Sequence, residues 1–134
     1  MDIDELLPFL KLLASESSAI IKRYFRTNLV IDNKSDDSPV TVADKLAESK
    51  MRDIINKKFP SHGIIGEEFG DYNADAEFVW VLDPIDGTKS FISGALSFGT
   101  LIALLKNGEP ILGVINHPVL NEFLVGDNNT CLLN

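Results

Sequence analysis

The length, composition and charge of this chain favour one globular domain and exclude several classes of protein. Its 134 residues are 45% apolar, which is enough to build one hydrophobic core. The net charge of -8 argues against a nucleic-acid-binding surface, and no apolar run approaches the roughly 20 residues of a membrane span. The single cysteine, Cys131, excludes an internal disulfide, and the N-terminus lacks the pattern of a signal peptide. We therefore expect a cytoplasmic protein that binds neither nucleic acid nor membrane.

Two amphipathic helices are predicted first. Apolar residues recur at helical spacing over residues 3–26, and Asp2 is suited to cap this helix. A short strand at 29–32 and a polar loop at 33–39 follow. A second helix is predicted over 41–59, where it ends at a Pro-Ser-His-Gly turn.

The rest of the chain is predicted to be mainly strands. They are expected at residues 64–66, 78–82, 100–105, 111–115, 122–125 and 131–133. A Lys-Asn-Gly-Glu turn makes a hairpin of the third and fourth strands. Residues 101–105 are continuously apolar, so both faces of that strand are expected to be covered. This order predicts an α+β fold, with two helices packed on a largely antiparallel sheet.

The segment Asp-Pro-Ile-Asp-Gly-Thr at residues 83–88 has the composition of a metal and phosphate site. Asp83 and Asp86 follow a buried strand, where a turn can direct both carboxylates at one divalent cation. Gly87 allows close approach of the backbone to a ligand, and a helical turn from Lys89 would present free amides to a phosphate. A solvated acidic turn accounts for this hexapeptide equally well.

Other titratable side chains are candidates on weaker grounds. Glu67 and Glu68 end a short strand, where an exposed pair is the simpler interpretation of each residue alone. Beside residues 83–88, however, a third carboxylate would complete a two-metal site. Asp44 is interpreted first as a helix N-cap and second as a general base that activates water. His62 and His117 are predicted to be loop residues rather than ligands.

A second class of phosphatases also places two aspartates before Gly-Thr. In haloacid-dehalogenase-type phosphatases, the nucleophilic aspartate and the acid/base aspartate are two residues apart and follow a first strand. Here Asp83 and Asp86 are three residues apart and follow two predicted helices. The spacing therefore disfavours that class.

Three segments together resemble the inositol monophosphatase superfamily. They are Trp80–Phe91, Gly66-Glu67-Glu68 and Val40–Asp44, in the order and spacing of that superfamily. The resemblance covers essentially the whole chain. It implies the N-terminal domain of an αβαβα fold and hydrolysis of a small phosphorylated metabolite.

The subfamily is suggested by two short segments. Residues 89–91 and 98–104 look most like histidinol-phosphatases. Inositol monophosphatase-like activity and a 3'(2'),5'-bisphosphate nucleotidase-like activity stay open as alternatives.

The resemblance also implies the metal ligands. Glu67, Asp83 and the carbonyl of Ile85 would bind a first Mg²⁺, and Asp83 and Asp86 would share a second. Glu67 would also touch a third, weaker ion. Mn²⁺ is an alternative ion, and Li⁺ is expected to inhibit by competing for a Mg²⁺ position.

The remaining roles concern water and phosphate. Asp44 and Thr88 would polarise the attacking water, with Glu67 as a further catalytic residue. Asp86 and the amides of Gly87 and Thr88 would hold the phosphate. The resemblance thus implies direct attack by metal-activated water, without a covalent phosphoenzyme.

Members of this superfamily are about twice as long as this chain. We therefore interpret residues 1–134 as the N-terminal metal-binding α+β domain, with the C-terminal domain and its metal-binding Asp absent. The alternative to an enzyme is a truncated, non-catalytic fragment that folds and self-associates. In either case a homodimer is expected.

Overall fold

The computed structural model describes residues 1–27 and 39–134, so the predicted strand at 29–32 and the loop at 33–38 lie outside the described residues. The elements in the described part are α1 (Ile3–Tyr24), α2 (Pro39–Lys58), β1 (Gly63–Gly66), β2 (Gly70–Tyr72), β3 (Phe78–Asp86), α3 (Thr88–Ser93), β4 (Gly99–Lys106), β5 (Glu109–His117), β6 (Glu122–Asp127) and β7 (Cys131–Leu133). The predicted α+β class is confirmed.

The seven strands of the described chain form one sheet in the order β2-β1-β3-β4-β5-β6-β7. β1 runs parallel to β3, and every other neighbouring pair is antiparallel, which confirms the largely antiparallel prediction. β2 is absent from the predicted strands because its three residues are exposed and carry no apolar alternation.

The two long helices cover one face of this sheet. The buried side chains of α1 and α2 contact inward-facing residues of the strands, including Trp80, Leu82, Ile102 and Leu104. The carboxylate of Asp2 accepts a hydrogen bond from the amide of Asp4, as its predicted role as N-cap requires. α2 begins at Pro39 rather than at residue 41, since proline is favoured in the first turn of a helix.

The prediction that both faces of β4 are covered is wrong for the described residues. Leu101, Ala103 and Leu105 are partly exposed, whereas Ile102 and Leu104 are buried. The alternation arises because both long helices pack on the face that carries Ile102 and Leu104.

A second apolar cluster lies at the end of the sheet where β3 meets α3. It joins Ile85 from β3, Phe91 from α3 and Phe98 before β4 to residues of α1 and α2. The rings of Phe91 and Phe98 meet edge to face at 5.2 Å between centroids. This cluster fixes the position of residues 83–88 relative to α2.

Candidate metal and phosphate site

The carboxyl end of β3 departs from regular strand pairing. Asp83 pairs with Leu101 and Asp86 with Gly99, so β3 has one more residue than β4 in this stretch. Such a bulge bends a strand and redirects its side chains. The hydroxyl of the buried Thr100 donates a 2.8 Å hydrogen bond to the carbonyl of Pro84. Thr100 thereby satisfies a carbonyl that the bulge removes from the ladder.

Gly87 makes the turn from this bulge into α3. Its φ of 90° lies in the left-handed region, and a Cβ there would come within 3.2 Å of the carbonyl oxygen of Ser97. The carbonyl of Gly87 accepts the amide of Phe91 at 3.0 Å and so begins the helix. Thr88, its first residue, is exposed. The predicted helical turn is therefore present, one residue earlier than expected.

Glu67 and Glu68 lie beside Asp83 because of the parallel pairing of β1 and β3. Gly66, the last residue of β1, is paired with Leu82, so Glu67 leaves its strand next to Asp83. Both carboxyl ends meet at one edge of the sheet, where Glu67 is exposed and Glu68 half-buried. The structure thus brings together carboxylates that are 16 residues apart in the chain.

Asp44 faces the same group from α2. Burial makes the largest contribution and raises its pKa from 3.8 to about 7, with further increases from the charges of Glu68, Asp83, Glu67 and Glu48. Asp44 is the sixth residue of a helix that begins at Pro39, so the interpretation of Asp44 as a helix N-cap is wrong. Its carboxylate is instead held in a field of like charges.

Asp83 is at the centre of this field. Burial, followed by the charges of Glu67 and Asp86, raises its pKa to about 6, against a smaller lowering by a hydrogen bond from the backbone of Ile85. Its Oδ1 atom is buried and has no hydrogen-bond partner among the described residues. A buried acceptor of this kind is costly unless water or a cation provides its partner.

These donors fit a divalent cation by their chemistry. Carboxylates and peptide carbonyls are ligands that Mg²⁺ prefers, and the backbone carbonyl is the only ligand atom that Ile85 can offer, since its side chain is a hydrocarbon packed in the second apolar cluster. Within residues 1–27 and 39–134, however, no three His, Cys, Asp or Glu side chains lie close enough together to enclose an ion.

One of the two histidines lies in a loop, as predicted, and the other lies in a strand. His62 precedes β1 but is buried, where it stacks on Phe59 and accepts a 3.0 Å hydrogen bond at Nδ1 from Trp80 Nε1. Burial lowers its pKa, with a smaller opposing effect of Glu77. His117 ends β5, with Nδ1 2.9 Å from the carbonyl oxygen of Phe98. The interpretation as a loop residue is confirmed for His62, which lies between α2 and β1, and is wrong for His117, which belongs to β5.

Glu48 is the residue of this region that the sequence did not indicate. It lies one helical turn after Asp44 and is completely buried. Its carboxylate accepts hydrogen bonds from the amides of Glu68 and Phe69, at 3.1 and 2.9 Å. The four-residue spacing between Asp44 and Glu48 is the sequence signal that could have identified Glu48, since it places both carboxylates on one face of the helix.

Comparison with known proteins identifies relatives along the whole chain. The model of the inositol monophosphatase family matches residues 2–132. A bifunctional phosphatase, IMPL2, from Arabidopsis thaliana chloroplasts is 54% identical over 87% of this chain and 34% of its own length. A histidinol-phosphatase from Chlorobaculum parvum is 45% identical over 82% of this chain and 43% of its own length.

A solved structure has the same fold. An inositol monophosphatase from Zymomonas mobilis superposes with a TM-score of 0.88 at 44% identity, over 100% of this chain and 52% of its own. The chain therefore spans between a third and about half of the length of these relatives. Among the described residues, no helix has the length and apolar character needed to cross a membrane. From the family match and the shared fold, we conclude that this chain belongs to the inositol monophosphatase family.

Proposed function

We propose that residues 1–134 form the metal-binding α+β part of a Mg²⁺-dependent phosphate monoester hydrolase. The observation that carries the proposal is the electrostatic coupling of the carboxylates of the site: burial and the charges of Glu67 and Asp83 raise the pKa of Asp44, and burial and the charges of Glu67 and Asp86 raise the pKa of Asp83. Membership of a phosphatase family supports the same class of reaction.

The metal ligands of the proposal are Glu67, Asp83, the carbonyl of Ile85 and Asp86. Bound Mg²⁺ would neutralise phosphate oxygens and lower the pKa of a coordinated water. Mn²⁺ has similar ligand preferences and would substitute for it. Li⁺ is proposed to inhibit by competing at one of these positions.

The other residues act on water and phosphate. Bound cations would offset the charges of Glu67 and Asp83, which contribute to the raised pKa of Asp44, and would so favour its ionised form. Ionised Asp44 would accept a proton from the attacking water, with the hydroxyl of Thr88 orienting that water. The amides of Gly87 and Thr88 donate hydrogen bonds to the phosphate. Attack of water on phosphorus breaks the ester P–O bond in one displacement, so no side chain carries the phosphoryl group.

Histidinol phosphate is the proposed substrate. Relatives named histidinol-phosphatase are 45% and 39% identical to this chain, and the relative named inositol monophosphatase 1 is 33% identical. Inositol monophosphates are therefore the second candidates. A cytoplasmic location and a homodimer complete the proposal.

Phosphate release tests the proposal directly. Purified chain is incubated with histidinol phosphate or inositol 1-phosphate, with and without Mg²⁺, and Mg²⁺ binding is measured by calorimetry. We expect Mg²⁺-dependent release that is faster from histidinol phosphate. Mg²⁺ binding without release would support a non-catalytic fragment, and absence of both would refute the proposal.

Asp83→Asn provides the matched test of the site. It removes the charge of the ligand whose Oδ1 is buried without a partner, so Mg²⁺ binding should be lost. Asp53→Asn, an exposed position on α2, should bind Mg²⁺ as the unmodified chain does. Equal affinities of the two variants would mean that residues 83–88 are a surface turn.

A further inference from the structure

An ion pair on α2, between a buried carboxylate and a partly exposed guanidinium, lies beside the carboxylates of the candidate site. Glu48 is completely buried, and its Oε2 atom lies 3.1 Å from Nε of Arg52, one turn later on the helix. A buried carboxylate is tolerated when its oxygens are hydrogen-bonded and paired. Here the further donors to Glu48 are two backbone amides from a different part of the chain.

Those amides belong to the turn that follows β1. The amide of Glu68 donates a hydrogen bond to Oε1 of Glu48, and the amide of Phe69 donates one to Oε2. One carboxylate therefore accepts hydrogen bonds from two consecutive backbone amides. Arg52 adds a hydrogen bond from Nη2 to the carbonyl of Gly70, and its guanidinium lies 5.9 Å from the ring centroid of Phe69. The pair therefore contacts three consecutive residues, two in this turn and the first residue of β2.

The backbone before the turn is shaped to admit the carboxylate. A Cβ on Gly66 would lie 2.5 Å from the carboxyl carbon of Glu48 and 2.6 Å from each of its oxygens. Any larger side chain at Gly66 would displace Glu48 from the amides. The sequence Gly66-Glu67-Glu68 is thus matched to Glu48 in space.

From these contacts we propose that Glu48 and Arg52 are positioning residues, which hold the turn after β1 so that Glu67 and Glu68 face Asp44 and Asp83. Attachment of α2 to the sheet does not require this pair, because Met51 and Ile55 provide apolar packing on the same helix. Hydrogen bonds from two amides instead fix the path of the backbone that carries Glu67. The consequence for Mg²⁺ binding rests on the proposed function.

Two readouts separate positioning from general stability. The first is exchange of the amides of Glu68 and Phe69 in the metal-free chain, measured by NMR, and the second is Mg²⁺ affinity by calorimetry. Glu48→Gln keeps the shape but removes one acceptor and the charge. We expect both amides to exchange at least about tenfold faster, with β4 amides unchanged, and Mg²⁺ to bind about tenfold more weakly.

Two further variants distinguish a loss of positioning from a general loss of stability. Arg52→Lys keeps the positive charge beside Glu48 but loses the hydrogen bond to Gly70, and it should show the same changes to a smaller degree. Met51→Ala destabilises the same helix through the core, and it should leave Mg²⁺ affinity unchanged.

The outcomes distinguish this proposal from the proposed function. Unchanged exchange in both Glu48→Gln and Arg52→Lys would overturn the positioning role, as would a loss of Mg²⁺ affinity in Met51→Ala equal to that in Glu48→Gln. If the unmodified chain binds no Mg²⁺, the proposed function fails, and the exchange rates alone decide whether Glu48 holds the turn.

Discussion

At the scale of single residues, the raised pKa of Asp44 makes stability depend on pH in a defined direction. Its pKa is 3.8 ordinarily and about 7 in the folded chain, so the unfolded chain releases this proton first as pH rises. Protonated Asp44 stabilises the fold fully below pH 3.8, and this contribution is lost as the pH rises to about 7. Asp83, raised to about 6, acts in the same direction.

Asp44→Asn should therefore stabilise the metal-free chain at high pH. We expect a gain of about 1–2 kcal/mol at pH 8 and a smaller one at pH 5, since the side chain is partly exposed and solvent screens part of the shift. Urea unfolding at both pH values measures the difference. Asp53→Asn should show no comparable pH dependence, and an equal gain at pH 5 and pH 8 would contradict a raised pKa of Asp44.

The same variant tests the chemical role of Asp44. If Asp44 accepts a proton from water, Asp44→Asn should reduce the rate of phosphate release about 100-fold or more. Mg²⁺ affinity should not fall, because the variant removes a neighbouring charge but none of the proposed ligands. Loss of stability with unchanged turnover would show that Asp44 is structural.

At the scale of elements, the bulge between β3 and β4 depends on one hydroxyl. Thr100→Val keeps the shape but leaves the carbonyl of Pro84 without its buried donor. We expect a loss of about 1–3 kcal/mol in the free energy of unfolding, and weaker Mg²⁺ binding because Asp83 and Asp86 flank the bulge. Denaturant unfolding and calorimetry measure the two effects.

A threonine elsewhere in the chain provides the control. Thr130 is exposed in the turn before β7, so Thr130→Val should change neither quantity appreciably. If Thr100→Val lowered stability and left Mg²⁺ affinity intact, the bulge would support the fold without orienting the carboxylates.

The elements also show what local sequence can and cannot predict. The helices and most strands were predictable because their apolar periodicity is strong. Residues 83–88 were predictable as a candidate site because glycine and paired aspartates follow an apolar strand. Glu48 was predictable only as a carboxylate on the same helix face as Asp44. Its role was not, since its partners are backbone amides about 20 residues away, which no local pattern records. The burial of His62 was not predictable either, because its turn-forming neighbours give no sign of its position between Phe59 and Trp80.

At the scale of the whole molecule, an apolar row crosses the uncovered face of the sheet. Ile115 pairs with Leu124, and Leu124 with Leu133, so the three side chains lie in line across β5, β6 and β7. Ile115 is 41% exposed and Leu133 69%. Exposed apolar rows beside an edge strand favour association with another sheet.

Self-association of the chain through this row is the resulting prediction. Sedimentation equilibrium in a Cys131→Ser background, which excludes disulfide-linked dimers of this exposed thiol, should reveal concentration-dependent dimers. The double variant Ile115→Lys and Leu133→Lys should shift the equilibrium from dimer to monomer, because it places positive charges in the apolar row that forms the proposed dimer interface. Leu120→Lys, also exposed but in the turn before β6, should leave the dimer intact. A chain that is monomeric at every concentration, or dimers that Leu120→Lys dissociates equally, would contradict association through this row.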